Sequence, residues 1–124
     1  MKATDLMLND LVLYRGDVAK VIAITANGEV SLLVDGHIVA RFVYAEELSP
    51  IPLTAKILDK NGFHYNNPDD LPIWDGWEQY GLLLYQSGKG YAINCGTNVA
   101  MEINAVNDLQ HFLKLCGIEK EITL

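Results

Sequence analysis

The chain has 124 residues, half of them apolar by a broad count and a fifth charged, with a mean hydropathy of +0.12 and a formal charge of −7. That composition excludes an intrinsically disordered chain, which needs low hydrophobicity and high charge. No run of about eighteen apolar residues is present to span a membrane, and the opening MKATDLMLND reads as no signal peptide.

Leu11–Tyr14 is a short apolar run, and Arg15-Gly16-Asp17 reads as the corner after it. Val18–Thr25 is rich in β-branched side chains and predicts a strand. Asn27-Gly28 is a strong hairpin signal, because both residues tolerate positive φ, so Glu29–Val34 returns as the partner strand. Asp35-Gly36 repeats that turn chemistry before a strand over His37–Tyr44. There, Ile38, Ala40 and Phe42 share one face, and Val39, Arg41 and Val43 the other. Four short strands with tight turns predict a sheet that curls on itself, up to an SH3-like barrel. Curling buries one apolar face and shelters the edges.

Pro50 and Pro52 stiffen the connector that follows. Thr54 has the position of a helix N-cap, with Leu53 and Leu58 as a hydrophobic staple. Gly62 ends that short helix, and Phe63 folds back onto it. Residues 64–79 are the least regular: before Ile73 they read as loop, and Trp74-Asp75-Gly76-Trp77 as a tight turn. Residues 78–85, 91–95 and 98–103 read as three strands. Asn104 or Asn107 caps a last helix on which Val106, Leu109, Leu113 and Cys116 form one apolar face, and Gly117 stops it. Glu119–Leu124 reads as a short terminal strand. The expectation is an α+β chain: a barrel-like antiparallel subdomain over 1–50 and an α+β subdomain over 51–124 packed on it as one structural unit.

Three stretches resemble a family of small uncharacterised proteins of Bacteroides-group bacteria and their phages or mobile elements. They are the opening MKATDLMLNDLVLY, the middle LSPIPLTAKILDKNGF (Leu48–Phe63) and the terminus VNDLQHFLKLCGIEKEITL (Val106–Leu124). Asn107, His111 and Cys116 stand where that family usually has His, Asn and Thr. The resemblance implies a shared lineage and fold and a bacterial cytoplasmic accessory protein; it carries no mechanism and no functional residue.

Residue chemistry argues for contact rather than catalysis. His37, His64, His111, Cys95 and Cys116 show no CxxC, HxH or HExxH spacing, so no metal or other cofactor is expected. Both cysteines sit in apolar surroundings, which predicts buried, reduced thiols rather than a nucleophile. Asp69, Asp70, Asp75 and Glu78 cluster near the tryptophans, where a solvated acidic loop is the simpler reading than acid–base catalysis. Basic residues are scattered singly, with 8 acids against 6 bases in residues 1–62 and 8 against 3 in 63–124, so no positive footprint for nucleic acid is evident. Tyr65, Trp74, Trp77 and Tyr80 concentrate in one polar stretch and are the candidate contact surface for a protein partner or a second copy of the chain. The functional expectation is a non-enzymatic accessory or protein-interaction module. A nucleic-acid accessory and a small hydrolase are the alternatives.

Overall fold

The computed structural model describes residues 1–66, 76–79, 82–87, 90–94 and 100–124. The fold class is α+β, with a curled antiparallel sheet at the N-terminus. Two compact units form: Met1–Ile51 with Val106–Glu119, and Pro52–Ala105 with Lys120–Leu124. The split expected at residue 50 left the last helix with the second region, whereas here Val106–Glu119 belongs to the first.

In the first unit, strands β1 (Leu11–Tyr14), β2 (Asp17–Ile24), β3 (Glu29–Val34), β4 (Ile38–Tyr44) and β5 (Leu48–Ser49) form one antiparallel sheet in the order β4-β3-β2-β1-β5. It is a half-barrel with two edges, since β4 and β5 do not pair. Tight turns supply the meander. Arg15 and Gly16 both take positive φ (+50° and +83°), which matches a two-residue hairpin to the strand twist. At Asn27-Gly28 only Gly28 does so (+81°), and Thr25 closes the loop through its carbonyl and hydroxyl instead. Alternate residues Val12, Ala19, Val21, Val30, Leu32, Val34 and Val43 point inward and make the core, with Leu6, Ala45 and Leu48 closing it. The curl comes from two bulges, at Ile22 in β2 and at Arg41–Phe42 in β4. The second one corrects the expected facing of β4. Ile38 and Ala40 pair with inward-facing Val34 and Leu32, but Val43 joins them opposite Val30, and Phe42 is turned out. Helix α2 (Val106–Leu115) starts after Ala105, so neither Asn104 nor Asn107 is its cap; the Val106 N–H donates to the Ile51 carbonyl at 2.9 Å. Val106, Leu109 and Leu113 are buried as their spacing requires. Cys116 is not: it lies beyond the last turn and is exposed, against the buried thiol expected of it.

The second unit carries helix α1 (Ala55–Lys60) and strands β6 (His64–Asn66), β7 (Gly76–Gln79), β8 (Leu82–Ser87), β9 (Gly90–Asn94) and β10 (Ala100–Ile103). Their order is sequential, β10-β9-β8-β7-β6, so the sheet is a five-stranded meander where three strands were expected. The stretch read as one strand over 78–85 is divided between β7 and β8, and part of the presumed loop, His64–Asn66, pairs with β7. The capping of α1 follows its sequence. Thr54 Oγ accepts from the Ile57 N–H at 3.3 Å, and Leu53 and Leu58 are both buried. Gly62, at φ +86°, ends the helix with Gly62 N–H to Asp59 O and Phe63 N–H to Leu58 O. Glu119–Leu124 forms no ladder, contrary to the terminal strand expected. Its polar tie is Asn61, whose side chain accepts from the Thr123 N–H and donates to the Thr123 carbonyl, while Lys60 Nζ donates to the Leu124 carbonyl. Asn61 is buried, so these bonds satisfy an amide that would otherwise be costly to desolvate.

Candidate protein-contact surfaces

Among the described residues, strand β4 pairs with β3 alone and its other edge carries no ladder. Its composition is unusual for an edge. Ile38, Val39, Phe42 and Tyr44 are 55%, 50%, 72% and 57% exposed, and Arg41 is the one charged residue between Ile38 and Tyr44. Edge strands are ordinarily blunted by charges, by proline or by a bulge; β4 has the bulge at Arg41–Phe42 but a single charge and no proline. Ile22 of the β2 bulge and Val18 add further exposed apolar surface in the same sheet. The bulge explains how an aromatic comes to stand in water. Phe42 sits at φ +59°, a left-handed conformation that a bulky side chain rarely takes. Strain of that kind, at an exposed aromatic, is the sort of outlier that functional surfaces retain.

The aromatic cluster read from sequence is divided. Trp74 and Tyr80 lie outside the described residues. Tyr65 and Trp77 sit directly opposite each other on β6 and β7, with ring centroids 5.1 Å apart and planes at 56°. Trp77 also stands opposite Leu84, which in turn faces Ile93, and both of these are fully buried. The pair therefore continues a buried cross-strand row out to the sheet margin, where Trp77 is half-buried and Tyr65 is 45% exposed. Tilted rings at this spacing are a favourable pairing in themselves, worth about 0.5–1.5 kcal/mol.

A polar cluster that sequence reading missed holds α2 to the residues before β1. His111 Nε2 lies 2.7 and 2.9 Å from the two carboxylate oxygens of Asp10, which is 2% exposed, while His111 is 22% exposed. The Met7 N–H donates to the same carboxylate at 2.9 Å. Gln110 accepts from the Leu11 N–H and donates to the Asn9 carbonyl. Buried Asn107 also bonds Asp10, while its Oδ1 has no partner. Burial pushes the Asp10 carboxyl above the usual carboxylate range, with Met7, His111 and Asn107 pulling it back. Chemically the pair orients an imidazole and can hold a proton; mechanically it clamps the helix. Its signal in the sequence was the 107, 110, 111 spacing, which puts three polar side chains on one helical face.

Among the described residues, no three His, Cys, Asp or Glu side chains are grouped to hold a metal ion, and no helix is long and apolar enough to cross a membrane. In comparisons with protein-family models, with curated proteins and with solved structures, nothing matches this chain.

Proposed function

We propose that the chain is a protein-interaction module of accessory type, acting through the exposed edge of its N-terminal sheet. The observation that carries this reading is the run of four large apolar side chains, each at least half exposed, on the seven-residue strand β4. A concentration of that kind on a sheet edge is costly to leave in water and is the usual mark of a contact site. The pattern of charge supports a protein rather than a nucleic acid as the partner, since a −7 chain with scattered bases repels phosphates. The family resemblance of the opening, the Pro-Ile-Pro-Leu-Thr stretch and the terminus suggests a bacterial or phage setting for that partner.

A photo-cross-linking side chain at position 42, compared with one at position 115, tests this in the cells that make the protein. Leu115 is 79% exposed but lies on helix α2 and is the control. The reading expects one discrete adduct from position 42, identified by mass spectrometry, lost with Val39→Asp and absent from position 115. Equal labelling from both positions, or none from 42, contradicts it.

A further inference from the structure

The same edge also points to what kind of segment it takes; this step rests on the interaction reading above. We propose that β4 receives one extended apolar segment carrying a carboxylate opposite Arg41, added as a sixth strand of the N-terminal sheet.

Three observations select this occupant. The first is the open ladder: among the described residues β4 pairs only with β3, and the Tyr44 N–H is already taken by Glu47 Oε2 at 3.0 Å, so the stretch available for pairing is Ile38–Val43, bent at the Arg41–Phe42 bulge. An added strand satisfies such an edge with main-chain bonds, while alternate side chains are read on each face. The second is apolar exposure on both faces. Ile38 is on the inner side with Val34, and Val39 is on the outer side with Leu33, yet each is at least half exposed. A partner strand packing beside β4 would cover both, whereas a partner resting on one face would leave the other wet. The third is charge. Arg41 is the one charged residue of Ile38–Val43. In a two-fold pairing of β4 with its own copy over Ile38–Val43, the Arg41-centred register would set Arg41 opposite Arg41, and the equally long Ala40-centred one would set it opposite Val39 with no counter-charge. Like charges directly opposite across a ladder are destabilising, and two chains of −7 repel as well. A carboxylate at that place reverses the sign.

The probe is a fluorescein-labelled heptapeptide of alternating valine and threonine with a central glutamate. It is compared with the same peptide bearing a central lysine and with a version N-methylated along its pairing edge. Anisotropy is read against the whole chain, against Arg41→Glu and against Arg41→Gln, each checked for folding by circular dichroism. The expected result is about a tenfold preference of the native chain for the glutamate peptide, equivalent to about 1.4 kcal/mol. That preference should reverse in Arg41→Glu, vanish in Arg41→Gln, and be absent for the N-methylated peptide because it does not bind. Equal affinity for the two charged peptides, unchanged binding of the N-methylated one, or no binding at all overturns the proposal. So does a homodimer in light scattering that Arg41→Glu abolishes. A discrete adduct from position 42 together with a failed peptide test would sink strand addition alone; loss of the adduct would sink the interaction reading too.

Discussion

Phe42 combines two features that chain stability alone would not retain: a left-handed backbone at φ +59° and a side chain 72% in water. A non-glycine residue in that conformation costs about 1–2 kcal/mol. Phe42→Gly should therefore raise stability by about 1 kcal/mol in urea denaturation, with an unchanged m-value, while weakening peptide binding. A loss of stability would mean that Phe42 packs in a way its exposure denies. Asp10 shows the opposite economy, a buried group held by its neighbours. Its folded pKa lies above the unfolded one, so its contribution to stability is fully present below the ordinary carboxylate range and is lost as pH rises through the raised value. The carboxyl carbon of Asp10 should titrate with a midpoint above about 3.9. Asp10→Asn, neutral throughout, should gain on the native chain as pH passes that midpoint. A midpoint at or below the ordinary value contradicts burial as the dominant influence. His111→Ala should cost about 1–3 kcal/mol by leaving the carboxylate without its closest partner, measured as a shift in the denaturation midpoint.

At the scale of elements, the turns and caps were readable because each is decided by a few adjacent residues. Thr54, Gly62 and Gly117 did what their chemistry requires, and Gly117 closes α2 with its N–H on Lys114 O and that of Ile118 on Leu113 O. What the sequence hid depends on distant partners. The Arg41–Phe42 bulge is set by pairing with β3, Leu48–Ser49 is a strand because β1 offers it an edge, and His64–Asn66 is one because β7 does. Asp10 and His111 are 101 positions apart, so neither signals the other. In the sequence, a candidate contact surface was legible only as the aromatic concentration Tyr65, Trp74, Trp77 and Tyr80. The β4 edge was not, because strict alternation placed Phe42 on the same face as Ile38 and Ala40. One non-local constraint is testable directly. A Cβ on Gly90 would come within 2.7 Å of the Ile103 carbonyl and also meet the Asn104 side chain. Gly90→Ala should cost about 1–3 kcal/mol through overpacking between β9 and β10; a neutral effect in thermal melts would show that the two strands have room to part.

At the scale of the whole molecule, the chain returns to its first unit after building its second, because α2 carries the polar face that binds Asn9, Asp10 and Leu11. The N-terminal sheet keeps its own core beneath a half-barrel whose inner face is packed and whose β4 edge, among the described residues, has no partner strand. Function, on this account, is what that edge does with its one guanidinium and its uncovered apolar side chains. Amide hydrogen exchange over residues 38–43, with and without the glutamate-centred heptapeptide, measures it. The account predicts fast exchange along the outer edge of β4 in the chain alone, strong protection there once the peptide is added, and no change in central β3. Protection that instead gathers around Tyr65 and Trp77, or that fails to rise on β4, would contradict it.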